Sequence, residues 1–270
     1  MMNGTYRRQF ILNKLEEITM AFQQPQSGQM SDSVFVMIPL TLSGGLQDAY
    51  SYFMRDRVFA NAQTGNIVLM GQNIALGNWS AALRYLLPLL AFAAGVYAAE
   101  SIHTHFHTKG IAMHWRHGVL LVEAVLLFAV GWMSQEINLL ANVLVSFVCA
   151  MQVESFRELE GNSYATTMCI GNLRSAMENL YYWKKTRDDL RRHKAAVYGI
   201  VILFFLIGAA IGGVLSRLWA EKTILLCCPP LLLAFALMLR IRSRRLRFLS
   251  LMTGAEEDEA IVKGQQNSSQ

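Results

Sequence analysis

The sequence has little charge for its length and lacks the marks of a soluble domain. Charged residues make up 16% of the 270 residues and hydrophobic residues 53%, whereas soluble domains carry roughly 25% charged residues. The mean hydropathy is +0.30. The longest polar stretches lie at the two ends and in one basic loop, which leaves no room for an aqueous domain. This composition indicates an integral membrane protein.

The sequence also lacks the common signatures of catalysis. It has no nucleotide-binding loop, no nucleophile elbow, no zinc-protease helix signature and no Ser–His or paired-Asp arrangement. Its four cysteines lie in apolar runs without CxxC spacing, as small packing residues do (Cys149, Cys169, Cys227 and Cys228). We therefore expect no enzymatic activity, no cofactor and no metal, and an intramembrane enzyme is the weakest interpretation.

The first 33 residues lack the apolar core of a secretory signal. Their apolar side chains fit a short interfacial helix and a disordered start equally well (Phe10, Ile11, Leu12, Leu15 and Ile18).

Six apolar segments are long enough to cross a bilayer, whose core of about 30 Å needs ~20 helical residues. They are Val34–Met54, Leu83–Ile102, His117–Ser134, Ile137–Phe156, Ala195–Leu218 and Thr223–Leu239. Two further segments, Phe59–Leu76 and Ser163–Trp183, are interrupted by amides or charges, which favours re-entrant or protein-shielded helices. The predicted fold is all-α, a polytopic membrane protein of about six transmembrane helices plus two re-entrant or broken helices.

Small residues mark two surfaces for close helix packing. Gly208 and Gly212 lie four residues apart in the fifth segment, and Ala91, Gly95 and Ala99 make a similar face in the second. Such spacing lets the backbones of membrane helices approach closely.

Two stretches of the chain echo each other. Gln47 recurs as Gln152 and Gly65-Asn66 recurs as Gly171-Asn172, 105 and 106 residues later. Each stretch interrupts an apolar segment with groups that persist in hydrocarbon mainly where they line a cavity or bind a solute. We therefore predict two membrane repeats, residues 34–134 and 135–240. A cytoplasmic N-terminal segment, residues 1–33, precedes them, and a basic and then acidic cytoplasmic tail, residues 241–270, follows.

Basic residues determine the expected orientation. They cluster between residues 184 and 194 and between 240 and 247, and the positive-inside rule places both clusters and both termini in the cytoplasm. If the two interrupted segments do not cross, each repeat has three spans and the repeats are inverted. If they do cross, the repeats are parallel. The charges fit both alternatives; we favour inversion, the arrangement of many secondary transporters with interrupted helices.

Asp48 is the main candidate for chemistry, because it follows a long apolar run. A carboxylate at that depth suits proton-coupled or cation-coupled binding, because its protonation can be tied to occupancy. The structural alternative is a hydrogen bond to a neighbouring helix or an ion pair with an arginine (Arg55, Arg57 or Arg84). Gln47 and Gln152 suit either a grip on a polar solute or a link between two helices.

The two Gly-Asn pairs are each expected to begin a half-helix, where free N–H groups attract anions or carbonyl oxygens. The alternative is a tight helix entry without a ligand. The predicted solute-binding residues are Gln47, Asp48, Asn61, Thr64, Gly65, Asn66, Gln152, Thr167, Gly171 and Asn172.

Two other acidic residues are given structural roles. We expect Glu154 to pair with Arg157 at the surface. Glu123 is expected to bridge to His117 or Arg116 or to extend toward the membrane interface.

The first stretch contains Gly44-Gly45, Asp48-Ala49, Ser51, Phe59, Thr64-Gly65-Asn66 and Val68. The second contains Ala150-Met151-Gln152, Arg157, Gly161, Thr166-Thr167 and Gly171. With these motifs the chain resembles, over roughly Leu40 to Leu215, the YoaK family of uncharacterised bacterial inner-membrane proteins. The sequence departs from the family at Val153-Glu154 and Ile170-Gly171-Asn172, where the family usually reads Asn-Ala and Thr-Gly-Thr. The resemblance implies a multi-spanning protein of a bacterial inner membrane and brings no established substrate.

These observations favour a secondary transporter or permease of a small polar solute or ion, with a polar site near the membrane midplane. The alternative is a non-transporting membrane scaffold or sensor that docks partners through its charged tail, Arg240–Arg247 and Glu256–Glu259. The net charge of +5 suits anionic lipid headgroups better than nucleic acid. A homo-oligomer is left open.

Overall fold

A computed structural model of the chain describes residues 33–108, 115–159 and 162–240. Within these ranges the fold is helical apart from one short antiparallel hairpin, β1 (Glu158–Leu159) and β2 (Asn162–Ser163). The helices are α1 (Val34–Met54), α2 (Gln63–Ala75), α3 (Trp79–Thr108), α4 (Trp115–Val130), α5 (Asn138–Ser155), α6 (Cys169–Thr186), α7 (Asp189–Trp219) and a final helical segment, α8 (228–240). Two 3₁₀ segments, Gln135–Ile137 and Ala220–Cys227, precede α5 and α8.

The predicted N-terminal segment, with its interfacial helix, and the tail beyond residue 240 lie outside the described residues. The fold is all-α, as expected. Three helical stretches of the described chain are long and apolar enough to cross a membrane (Trp79–Phe106, Gln135–Ser155 and Asp189–Arg240).

Helix α1 has the bounds expected from its apolar run. Ser33 precedes it, and the Ser33 hydroxyl accepts a hydrogen bond from the Phe35 N–H at 3.3 Å, which caps the helix start. The chain reverses directly after the helix, because Asp56 and Arg57 both adopt left-handed backbone conformations with φ of 60° and 59°. Residues 58, 60 and 61 are buried, so the chain folds back along α1 before α2 begins.

In the two interrupted segments, the helices begin at residues further along the chain than expected. α2 begins at Gln63 rather than near Phe59, and α6 begins at Cys169 rather than near Ser163. In each case the residues before the helix form a linker whose backbone carbonyls accept side-chain hydrogen bonds, and this stabilises a non-helical path.

Close contacts between α1 and α7 confirm the first predicted packing face. A Cβ atom on Gly45 would overlap the carbonyl oxygen of Phe205, and one on Gly208 would overlap that of Leu42. Gly212 lies against Leu46, one turn after the contact of Gly208 with Leu42. Later residues of α1 therefore contact later residues of α7, and the two helices run parallel. The glycines permit this backbone contact.

Helices α3 and α5 make the same kind of contact. A Cβ atom on Gly95 would overlap the carbonyl oxygen of Phe147, and buried Ala99 packs against Met151. These helices also run parallel, and the second predicted packing face is confirmed.

Helices α1 and α5 run in opposite directions. Gln152 near the end of α5 donates to the Leu40 carbonyl, whereas Asn142 near its start donates to the Arg55 carbonyl just after α1. The main apolar core lies between α1, α4, α5 and α8, and it includes Leu40, Leu120, Leu127, Val145 and Leu231.

Candidate functional site

Gln47 lies at the centre of the core and is fully buried. Its Nε2 donates to Glu123 Oε1 on α4 at 2.9 Å and to Ser43 Oγ one turn earlier on α1 at 3.0 Å. Its Oε1 accepts a hydrogen bond from Cys149 Sγ on α5. A single amide therefore joins three helices, as the helix-linking interpretation of Gln47 expects, and it brings a buried carboxylate to the same place.

Asp48 points toward the start of α2. It is 8% exposed, and its Oδ1 accepts a hydrogen bond from the Asn61 N–H at 2.7 Å. The N-cap residue of α2, Ala62, provides no side-chain cap. The carboxylate of Asp48 therefore binds the backbone of the linker directly before the start of α2. Within the described residues this bond to a neighbouring segment, and not an arginine pair, is the contact that Asp48 makes.

Asn66 fastens the linker before α2. Its Oδ1 accepts from the Phe59 N–H at 3.0 Å, and its Nδ2 donates to the Phe59 carbonyl at 2.7 Å and to Gln63 Oε1 at 2.9 Å. Asn172 repeats part of this arrangement, since its Nδ2 donates to the carbonyl of Ala165, also seven residues earlier, at 2.8 Å. The side-chain amide of each asparagine thus binds the backbone of the linker before its helix.

Residues from the second linker reach α1. The side chain of Thr167 lies so close to Gly44 that a Cβ atom there would come within 2.7 Å of the Thr167 methyl carbon. Asn61 Nδ2 donates to the Gly44 carbonyl at 3.3 Å. The glycine thus lets both linkers meet at one turn of α1, next to Gln47 and Asp48.

Three predicted site residues lie away from this meeting point. Thr64 and Gly171 are exposed, and a Cβ atom on Gly171 would meet nothing within 4 Å. Gly65 faces the ring of Phe59, where an added Cβ atom would lie 3.1 Å from the nearest ring carbon. The structure therefore brings together Gln47, Asp48, Asn61 and Thr167. Gln152 contacts α1 at Leu40, one to two turns before them.

The sequence interpretation of Glu123 is wrong in one respect. The sequence predicts an interfacial carboxylate, but Glu123 is fully buried near the middle of α4, and its side chain is directed to Gln47. The sequence does contain a sign of this burial. Glu123 lies six residues after His117, and six helical residues span about 9 Å, which places Glu123 about a third of the way into the hydrocarbon core. The surface pair is confirmed, because Glu154 Oε1 lies 2.8 Å from Arg157 Nη1.

Arg55 is the largest fully buried side chain of the described residues. All five of its N–H donors are used: Nε reaches the Tyr50 hydroxyl, and the two terminal nitrogens reach four acceptors near the end of α4 and the start of α5 (Val130 O, Met133 O, Ser134 O and Asn138 Oδ1). The guanidinium adds donors to the carbonyls of the turn that ends α4, beside the backbone N–H groups of Met133 and Ile137, which bind Val130 O and Ser134 O. Arg55 is consequently unavailable to a carboxylate.

Several buried polar atoms at the centre accept no hydrogen bond from the described residues. They include Glu123 Oε2, Gln152 Oε1, Thr166 Oγ1 and Thr167 Oγ1. A buried polar group without a partner is unfavourable by about 1–3 kcal/mol. The centre therefore has hydrogen-bonding capacity that the protein's own side chains leave unused.

Apolar helices around a buried polar centre define an integral membrane protein, and comparison with known sequences places it in a family. Residues 36–238 match the family described as "Protein of unknown function (DUF1275)", and the chain belongs to that family. It is 26% identical over 183 residues to the UPF0700 transmembrane protein YoaK of Bacillus subtilis (strain 168), a match that covers 64% of this chain and 79% of that protein. The resemblance to YoaK is thereby confirmed. No solved structure matches significantly.

Proposed function

We propose that the protein is a secondary transporter or permease of a small polar solute or ion in a bacterial inner membrane. The observation that carries the proposal is the buried polar centre, in which Gln47, Asp48 and Glu123 lie in the middle of apolar helices. Polar and acidic groups at membrane depth are unfavourable and mark solute or ion pathways in membrane proteins.

The proposed architecture is a pair of inverted repeats. A duplication in which the halves were parallel would give α1 and α5 the same direction, whereas these helices run in opposite directions. Opposite directions are what a pseudo-twofold axis in the membrane plane produces. The antiparallel pair thus supports the inverted alternative.

Matched contacts support the same proposal. Leu42 and Phe147 lie 105 residues apart, the spacing of Gln47 and Gln152, and each lies against a glycine, Gly208 and Gly95 respectively. The first helix of each half therefore packs on the third helix of the other half through equivalent positions. The amide contacts of Asn66 and Asn172 are a second matched pair.

The opposite directions of α1 and α5 support six crossings rather than eight. α2 has 13 residues, which at 1.5 Å per residue reach about 20 Å and fall short of a hydrocarbon core of about 30 Å. α8 has the same length, but the eight residues of the 3₁₀ segment Ala220–Cys227 precede it and extend the span. We propose that α1, α3, α4, α5, α7 and α8 cross the membrane and that α2 and α6 enter without crossing. With the basic loops inside, both termini are cytoplasmic.

The experiment that tests solute binding is the thermal stability of the purified protein against a panel of small metabolites and ions. A ligand at a hundred times its dissociation constant adds about 2.7 kcal/mol to the free energy of unfolding. Asp48→Asn retains an acceptor for the Asn61 N–H, so we expect it to fold and to lose most of the ligand-induced stabilisation. Glu154→Gln, which changes a surface pair, is the matched control and should respond like the wild type.

The same measurement decides between the transporter and a scaffold or sensor. The hydrogen bond from Asn61 to Asp48 favours a structural role for this carboxylate. If no compound stabilises the wild type and Asp48→Asn only lowers the melting temperature, the scaffold proposal replaces the transporter. Deletion of the tail beyond residue 254 should then abolish the cellular phenotype.

The remaining expectations follow from the same proposal. The partners are the solute and membrane lipids, with no nucleic acid, and a homo-oligomer is left open. That the protein is not an enzyme stays a prediction.

A further inference from the structure

Glu123 has an environment that the solute site alone does not explain. Its side chain is fully buried, one carboxyl oxygen accepts a hydrogen bond from Gln47 at 2.9 Å, and the other has no hydrogen-bond partner among the described residues. Asp48 differs, because a backbone N–H of the linker before α2 donates to it. Of the two carboxyls at the centre, Glu123 is the one with a buried oxygen that no described residue binds.

In the part of the chain that the structure describes, the groups that face Glu123 provide no cation. α1 presents Gln47, whereas Asp48 is directed to the linker before α2. α5 presents Cys149, and the segment before and within α8 presents the thiols of Cys227 and Cys228. Arg116 and His117 lie at the N-terminal end of the helix that contains Glu123. Cys228 Sγ is 3.6 Å from the Ala124 carbonyl, adjacent to Glu123 in the chain. Arg55 lies about two helical turns beyond Gln47, and its guanidinium has all its donors engaged.

An ionised carboxylate in such a place would be an isolated buried charge, which is unfavourable by several kcal/mol. Protonation removes the charge and supplies an O–H donor beside the unpartnered oxygen. We propose that Glu123 is a proton-binding site at the membrane midplane and that Gln47 holds it in place. Deprotonation breaks the carboxyl O–H bond and passes the proton to water that enters when the centre opens. This inference deepens the proposed transport function, on which it depends for the direction of proton movement.

The two halves of the protein give an independent argument that the fold does not require this acid. Gln152, the counterpart of Gln47, donates to a backbone carbonyl, that of Leu40, instead of a carboxyl. Helix α8, the counterpart of α4, contains no acidic residue. The second half packs without a carboxyl at this place, so the packing of an equivalent helix does not need one.

Infrared difference spectroscopy of the protein in lipid bilayers tests the proposal directly. Acid-minus-alkaline spectra should contain the carbonyl stretch of a protonated carboxylic acid, which shifts when the protein is labelled with carbon-13 glutamate. The band should be absent from Glu123→Gln and present in Asp48→Asn and in the surface control Glu154→Gln. In Gln47→Leu it should move to higher frequency, because the carbonyl loses its hydrogen-bond donor.

Three results would overturn the proposal: no such band in the wild type, a band that glutamate labelling does not shift, or a band that persists in Glu123→Gln. The labelling experiment uses the wild type, so the test stands even where a variant does not fold. Failure of the transport proposal is distinguishable. A glutamate band without any stabilising solute would support the proton-binding site and contradict the transport proposal. Solute binding without the band would support the transport proposal and contradict the proton-binding site.

Discussion

In the proposed pair of repeats, the two halves of the membrane domain share their framework and differ at their centres. Leu42 against Gly208 and Phe147 against Gly95 are equivalent backbone contacts, and Asn66 and Asn172 each bind a linker carbonyl seven residues back. At the centre, by contrast, Gln47 binds Glu123 whereas Gln152 binds only the Leu40 backbone. Features that hold helices and linkers together recur in both halves, and the acidic groups do not. This division suggests which residues serve the fold and which serve a ligand or proton.

The largest effect should come from the shared helix contacts. In Gly208→Val and Gly95→Val the added side chain overlaps a carbonyl oxygen of the partner helix, and overpacking of this kind is unfavourable by about 1–3 kcal/mol or more. We expect both variants to be severely destabilised, and to a similar degree, when unfolding is followed by thermal denaturation in detergent.

The control for the glycine pair is Gly199→Ala on α7, where an added Cβ atom meets nothing within 4 Å. It should be neutral or gain up to about 1 kcal/mol, because alanine is the better helix former. A large loss for Gly208→Val with none for Gly95→Val would break the equivalence of the two halves.

The next effect tests a feature that, among the described residues, is seen in the first half. Arg55→Gln removes four hydrogen bonds from a fully buried side chain to the end of α4 and the start of α5, at about 1 kcal/mol each. Glutamine can restore only part of them, so we expect a loss of about 2 kcal/mol in the free energy of unfolding, smaller than that of the glycine variants. Arg57→Gln, at an exposed arginine two residues on, should change stability by less than about 0.5 kcal/mol. Equal denaturation midpoints for the two variants would contradict this role of Arg55.

The smallest effect compares the two linker amides. Asn66→Ala removes three hydrogen bonds and Asn172→Ala removes one. At about 1 kcal/mol each, the first variant should lose more stability than the second. Hydrogen exchange should localise the change to the linker before α2 or before α6. A larger effect at Asn172 would show that the linkers are not held in the same way.

Much of this framework is predictable from the sequence, because helix length, apolar runs and small-residue spacing are local properties. The bounds of α1 and the glycine faces agree with the structure for that reason. The starts of α2 and α6 do not, because the linker path depends on Asn66 and Asn172 reaching back to backbone that is not helical. The roles of Glu123 and Arg55 are not predictable in this way, because their partners lie 76 and about 80 residues away along the chain, and no local pattern encodes such contacts.

The environment of Arg55 has a mechanical consequence. One side chain joins the end of α1 to the end of α4 and the start of α5 through four hydrogen bonds. Among the described residues, the opposite end of the α1–α5 pair is joined by one hydrogen bond of 3.3 Å between Gln152 and Leu40. We therefore expect relative movement of these helices to meet the most resistance at the Arg55 end and the least at the Gln152 end. In the proposed orientation, the amplitude of a rocking motion about Arg55 would then grow toward the cytoplasmic end.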